Sequence, residues 1–283
     1  MSISVIIPTY NRASTLPRAL DSVFAQTQQP LEVIVIDDGS EDETPSLIAQ
    51  HYPQVVYLSQ ANTGVSQARN RGIKQAQGEW LALLDSDDSW LPDKLQQQMS
   101  SLQRSPELRI SHTDEIWIRN GTRVNQMHKH AKQGGYIFKN CLPLCAISPS
   151  AALLHRSVFD DYGLFDVHLP ACEDYDLWLR VCAREAVDFV AKPLVIKYGG
   201  HQDQLSRQHW GMDRFRIHAL QKLLENGPLS HEDRCAAIQM LCQKCQILSQ
   251  GAMKRGNQPR ADHFMAIQAQ YQQELSGCKK GDD

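Results

Sequence analysis

No run of this chain approaches the roughly 20 consecutive apolar residues that a membrane helix needs, so an integral membrane helix is not expected. A basic excess is also missing. Lys and Arg number 29 against 32 Asp and Glu, a formal net charge of −3, and nucleic-acid binders usually carry a basic surface. Nucleic acid is therefore not an expected partner. Neither G-x-G-x-x-G nor G-x-x-x-x-G-K-[ST] occurs in the strand-helix repeats of the first hundred residues, which argues against a nicotinamide dehydrogenase or a P-loop ATPase. Any phosphate must then be held by a metal and by basic side chains. The start, Met1–Ile7, has neither a basic leader region nor a long apolar one, so a signal peptide is not expected. Among the eight cysteines, Cys242 and Cys245 lie close together with Cys235 nearby, but no second pair completes a zinc set. They read as reduced thiols packed in helices. A cytoplasmic location is the expectation, with peripheral contact at the inner face of the inner membrane left open.

What is present is an alternation. Ser4–Ile7, Val33–Ile36, Val55–Leu58 and Trp80–Leu84 are short β-branched and aliphatic runs. Between them, helical stretches fall near Ser14–Gln26, Asp42–Gln50 and Val65–Gln77. Such spacing predicts an α/β fold whose parallel sheet is covered on both faces. Ligands bind beyond the carboxyl ends of strands in such sheets, and the polar residues gather there. Strand one runs into Pro8–Arg12, strand two into Asp37–Ser40, and strand four into Asp85–Ser86–Asp87–Asp88. In extended backbone Asp85 and Asp87 leave the same face, and dense carboxylates resist burial unless a cation or hydrogen-bond donors compensate them. The pattern suits oxygen ligation of Mg²⁺ or Mn²⁺, although a polar turn ending a strand uses the same residues. Arg69 and Arg71, in the segment from Asn62, are available for phosphate or as surface arginines of a helix start.

A second acidic cluster, Glu173–Asp174–Tyr175–Asp176, opens a helix. Acids in a first turn complement the helix dipole. On a helical wheel Asp174 falls within the stripe of Leu177, Trp178 and Val181, while Glu173 lies at its edge. Asp176 falls opposite and is expected to form a surface pair with Arg180. Asp174 is then either a carboxylate looking into a cleft, able to accept a proton, or a satisfied cap.

Together these segments resemble the family 2 glycosyltransferases of the GT-A fold. The match runs from Ser4 to about Ser206 and includes Val5–Arg12, Val35–Ser40, Asn62–Asn70, Asp85–Ser86–Asp87 and Glu173–Trp178. The resemblance implies a Rossmann-like, mixed, mostly parallel sheet with flanking helices, and an inverting transfer from a nucleotide-sugar donor to a saccharide or lipid-linked acceptor. It implies that Thr9, Tyr10, Arg12, Asp38 and Asn62 lie on the donor nucleotide, with Asp38 on the base. Asp85 is implied on the ribose side and Arg69 on the nucleotide. Asp87 is implied as ligand of the Mn²⁺ or Mg²⁺ that bridges the diphosphate, with Asp88 as the alternative ligand. Asp174 is implied as general base, and His201 as the late histidine near the metal.

The halves follow: residues 1–105 for the donor, 106–206 for the acceptor, and 207–283 as a C-terminal helical extension. Within the second half, Asn120–Gly121 between alternating runs predicts a hairpin. Met127–Gly135 reads as a mobile basic loop whose His128 and His130 either meet an acceptor phosphate or stay solvated. Helices are expected at Arg214–Leu224, Glu232–Gly251 and Arg260–Leu275. The first is basic and amphipathic, and either packs on its own domain or touches an anionic membrane surface. Two other readings remain at this stage. A sugar-1-phosphate nucleotidyltransferase also uses such a sheet but leaves Asp174 idle, and a non-catalytic sugar-nucleotide-binding protein needs no base.

Overall fold

The computed structural model describes residues 1–200 and 209–278. The donor half comprises β1 (Ile3–Thr9), α1 (Leu16–Phe24), β2 (Glu32–Asp37), α2 (Thr44–His51), β3 (Val56–Ser59), α3 (Val65–Gln75), β4 (Trp80–Leu83), β5 (Ser89–Trp90) and α4 (Lys94–Arg104). There follow β6 (Ile110–Arg119), β7 (Thr122–Val124), α5 (Phe138–Cys141), β8 (Leu153–His155), α6 (Ser157–Tyr162), α7 (Glu173–Cys182) and β9 (Asp188–Gly199). The helices α8 (Asp213–Asn226), α9 (His231–Met253) and α10 (Gln258–Cys278) complete the described chain. The α/β class, the three C-terminal helices and the early strands match the sequence expectations to within a few residues.

One mixed sheet takes the order β3-β2-β1-β4-β8-β6-β9-β5, with β7 paired to β6. β3, β2, β1 and β4 are parallel. β8 reverses against β4 and β6, and β6 runs parallel to β9. Alternation along β1 sends Ile3, Val5 and Ile7 to one face, where they meet Leu16, Leu20, Leu95 and Met99. Ile6 goes to the other face, among Ala68, Ile73, Trp178 and Leu220. Both faces are buried, so the strands read as continuous apolar runs rather than as alternating ones.

Helix α3 lies unusually close to β1. A Cβ on Gly72 would stand 2.4 Å from Cγ2 of Ile6, so only glycine permits that approach. The C-terminal helices cover the same face. Ile217, Leu220, Leu223 and Leu224 of α8 join the apolar cluster of Leu177, Trp178 and Val181. Ser230 caps α9 by accepting the N–H of Asp233 at 3.1 Å. The cysteines behave as packing residues there: Cys242 and Cys245 are buried in that cluster. At the hairpin, Asn120 and Gly121 take φ of 48° and 76°, the paired left-handed values of the tight turn that Asn-Gly predicts. No helix among the described residues is long and apolar enough to cross a membrane.

Candidate active site

The register of the sheet brings the ends of β1 and β2 side by side. Thr9 pairs with Asp37, and the Asp38 N–H donates to the Thr9 carbonyl at 2.8 Å. Asn11, in the left-handed region at φ 51°, laces the two following loops together. Its N–H donates to Ser40 Oγ and its Oδ1 accepts from the Glu41 N–H, each at 2.8 Å. The Arg12 N–H donates to Thr44 Oγ1 at 3.1 Å. Tyr10 is 43% exposed, and Asn62, in the loop after β3, is exposed as well. Thr9 Oγ1 is buried and finds no hydrogen-bond partner among the described residues.

Asp38 is buried and heavily used. Its two oxygens accept from the N–H groups of Thr63 and Gly64 at 3.0 and 2.8 Å and from the Gln60 amide at 2.8 Å. It thereby closes the loop that leads into α3, where Gly64 takes φ 95°. Asp37 is spent in the same way, on the Ser40 N–H at 2.8 Å and the Tyr57 hydroxyl at 2.5 Å.

Arg69 lies at the centre of the acidic groups. Its Nη2 donates to Asp85 Oδ1 at 2.7 Å and its Nη1 to Glu173 Oε1 at 2.6 Å. One guanidinium on α3 thus joins the end of β4 to the start of α7. Burial works to raise the Asp85 pKa, but Arg69 and Lys197 hold it below the usual carboxylate range. Glu173 is pushed up, by burial first and the Asp174 charge second, against the pull of Arg69.

The aspartates after β4 have different surroundings. Asp88 is 2% exposed and faces protein: Ser150 Oγ donates to it at 2.6 Å, the Tyr198 N–H at 3.2 Å, and Lys197 Nζ stands 3.5 Å away. Burial, followed by the opposing pull of Lys197 and the repulsion of Asp87 and Asp85, leaves its pKa at about 7. Asp87 is half-buried, and its carbonyl accepts from Arg18 Nη2 at 2.6 Å.

Asp85, Asp87 and Asp174 line one cavity of about 750 Å³, together with Arg69, Glu173 and Lys197. Asp174 is half-buried there. Its Oδ1 accepts the Tyr175 N–H at 2.7 Å and its Oδ2 the Cys145 thiol at 3.0 Å. Asp174 thus lines the cavity and also satisfies a first-turn donor. Burial and the Asp174 charge push the Cys145 thiol well up, so it stays a neutral donor.

Asp176 departs from the expected surface pair. It is 1% exposed, bonded to Arg180 at 2.9 Å and to Lys222 of α8 at 2.7 Å. The wheel assumes one buried face, whereas α8 covers the side of α7 that would otherwise meet water. Nor is the Met127–Gly135 segment a free loop. His128–His130 form a single 3₁₀ turn, the His130 ring sits 4.9 Å from the Trp117 ring, and Lys132 pairs with buried Glu115 at 2.9 Å. A buried carboxylate there demands a cation, which ties the loop down.

Lys197, Glu115, Lys132 and Cys145 are among the cavity residues to which sequence reasoning gave no role. Each is a lone polar residue on a strand or loop without a motif. The one available signal was the period-2 alternation of β9, which aims Lys197 to the same side as Val195. His201 lies outside the described residues.

A family model described as glycosyl transferase family 2 matches residues 4–163. An uncharacterized glycosyltransferase of Rickettsia felis is 29% identical over 217 residues, 73% of this chain and 35% of that protein. One of Rickettsia prowazekii is 30% identical over 204 residues, 68% of this chain and 62% of that protein. The chain thus spans only part of the length of these relatives. Among solved structures, residues 1–349 of S. aureus TarS in complex with UDP-GlcNAc align with a TM-score of 0.64 at 19% identity, over 97% of this chain and 92% of that one. That likeness is one of fold, and the fold is GT-A.

Proposed function

The chain belongs to glycosyl transferase family 2, and on that footing we propose that it is an inverting, metal-dependent glycosyltransferase. It takes a sugar from a nucleoside-diphosphate donor to the hydroxyl of a saccharide or lipid-linked acceptor. The observation that carries this reading is a single cavity lined by Asp85 and Asp87 after β4 and by Asp174 at the start of α7. A group transfer of this kind needs a place for a diphosphate and a proton acceptor beside it.

The nucleotide lies against the ends of β1 and β2. Thr9 Oγ1, buried without a partner among the described residues, has a hydroxyl to offer the base or ribose, with Tyr10 and Arg12 next in the chain and Asn62 in the loop after β3. Asp38 Oδ2, which among the described residues accepts only the Gly64 N–H, keeps one acceptor site for the base. Asp87, with Asp85 lining the same cavity, would hold the ion. Carboxylate oxygen is the donor that Mg²⁺ and Mn²⁺ take; among the described residues no three His, Cys, Asp or Glu side chains are grouped to hold an ion, and His201, outside them, would be the further ligand. Once bound, the ion supplies positive charge against the departing diphosphate. Asp88 is too occupied by Ser150, Tyr198 and Lys197 to serve first.

Asp174 accepts the proton of the attacking hydroxyl. A thiol is a weak donor, so an acceptor alcohol displaces Cys145 from Oδ2 readily. Direct attack opposite the diphosphate inverts the anomeric carbon. Arg69 acts through Asp85 and Glu173, which it holds in place. We set the reaction in the cytoplasm at a membrane face. The 45% exposed Trp210, with Arg260 and Arg214 stacked at 3.8 and 4.6 Å, suits an anionic interface.

A thermal-shift panel of UDP, dTDP and GDP with and without Mn²⁺ tests the donor side, since a ligand of the native state raises its stability. UDP comes first because the aligned TarS structures hold UDP-GlcNAc and UDP. One base is expected to raise the melting temperature, and only with Mn²⁺. No shift from any diphosphate, with or without metal, removes the proposal.

A further inference from the structure

One wall of the cavity carries positive charge that the donor chemistry does not use. Arg119 ends β6 immediately before the Asn120–Gly121 turn, and Lys129 sits in the 3₁₀ turn 128–130. Both are exposed and both line the cavity that holds Asp174. Neither has a carboxylate within ion-pair distance among the described residues, whereas the other lining cations are matched. Arg69 holds Asp85 and Glu173, Lys197 faces Asp88, and Lys132 holds Glu115.

Their placement is built rather than incidental. The turn bearing Lys129 is pinned by the Trp117–His130 ring contact at 4.9 Å, by the Lys132–Glu115 pair at 2.9 Å, and by His112 Nε2 against the Gln133 carbonyl at 2.9 Å. Arg119 is held by the register of the hairpin, opposite Thr122. The His130 imidazole is kept from protonating by burial and then by Lys129, Lys132 and Arg119. Three cations acting on one side chain mean a local excess of positive potential. Arg119 and Lys129 line the same cavity as Asp174, so that potential acts on whatever the cavity holds.

We infer that the acceptor is anionic, and that Arg119 and Lys129 hold its phosphate or carboxylate while a neighbouring hydroxyl reaches Asp174. This rests on the proposed transfer reaction and names the class of its second substrate. A neutral saccharide gains nothing from two unmatched cations. An anionic one gains charge-assisted bonds, to which the planar guanidinium of Arg119 adds bidentate geometry.

Isothermal titration of the full chain with three probes tests it: short linear polyphosphate, oligogalacturonate and maltoheptaose. At least one anion is expected to bind tenfold or more tighter than maltoheptaose, and Arg119→Glu with Lys129→Glu should weaken that binding at least tenfold. The milder Arg119→Gln with Lys129→Gln pair, which introduces no repulsion, should give an intermediate loss. The polyphosphate and oligogalacturonate arms tell a phosphate-bearing acceptor from a carboxylate-bearing one. Absence of anion binding, equal binding of maltoheptaose, or affinity unmoved by charge reversal overturns the inference. None of those results touches the nucleotide panel, so the two proposals fail separately.

Discussion

Arg69 Nη1 meets Glu173 Oε1 at 2.6 Å across 104 residues of sequence, with both side chains buried. The same guanidinium holds Asp85 at 2.7 Å, yet the two carboxyls shift in opposite directions. Glu173 has the Asp174 anion beside it and is pushed up by burial and that charge. Asp85 has a second cation, Lys197, and is held down against burial. A single cation therefore organises one carboxylate whose pKa is lowered and another whose pKa is raised.

Removing one partner of a buried ion pair strands the others, which commonly costs about 3–5 kcal/mol. Arg69→Ala should lose on that order in urea unfolding, since it strips Glu173 of its cation and leaves Asp85 only Lys197. Glu173→Gln should cost less, because the glutamine oxygen still accepts from Arg69. Equal stability of Arg69→Ala and the parent chain would contradict the bridging role.

Asp174→Asn keeps the size and one acceptor oxygen but cannot take a proton at neutral pH. Turnover should drop on the order of 10²–10⁴, while the nucleoside diphosphate still raises the melting temperature as it does in the parent. Measuring both on one preparation separates a lost base from a lost fold. Full transfer activity would move the base elsewhere.

His112 is fully buried, and its imidazole is pushed down to about 3, by burial first and Lys132 second. Between 6.5 and about 3 the unfolded chain binds a proton that the native chain refuses, so stability falls as pH drops through that window. Each such group contributes at most ~1.4 kcal/mol per pH unit. Glu115, lowered to about 2 despite burial by Lys132 and Lys197, adds a loss in the same direction below 4.5. His112→Gln should flatten the melting-temperature profile between pH 6.5 and 5, and an unchanged slope there would exclude His112 as its source.

Gly72→Ala places a methyl 2.4 Å from Ile6 Cγ2, beneath the helix that carries Arg69. Overpacking of this kind costs typically about 1–3 kcal/mol. Chemical denaturation should show that loss, although alanine is the better helix former. Combining it with Ile6→Ala, which removes the contacting Cγ2, should cost less than the sum of the two single changes.

Much of the donor half was legible because its physics is local. The runs around Val5, Val35 and Leu81 announce strands buried on both faces, and Asn120–Gly121 announces its turn. The acids at strand ends point to a site because parallel strands all deliver their carboxyl ends to one edge. Less legible were the individual duties of those acids. Asp176 was expected in water and is buried under Lys222, because nothing local to α7 reveals that α8 will cover it. The Met127–Gly135 segment was expected loose and is tethered, because its anchor Glu115 lies on another strand.

The order of strands and helices, the two-sided apolar core, the hairpin and the gathering of carboxylates at one edge were determined by the sequence alone, since periodicity and turn chemistry act over a few residues. Which acid is matched to which cation was decided only by the tertiary structure. Arg69 reaches Glu173 and Lys197 reaches Asp88 across about a hundred residues, and the strength of a buried charge pair depends on distances that only the folded chain sets.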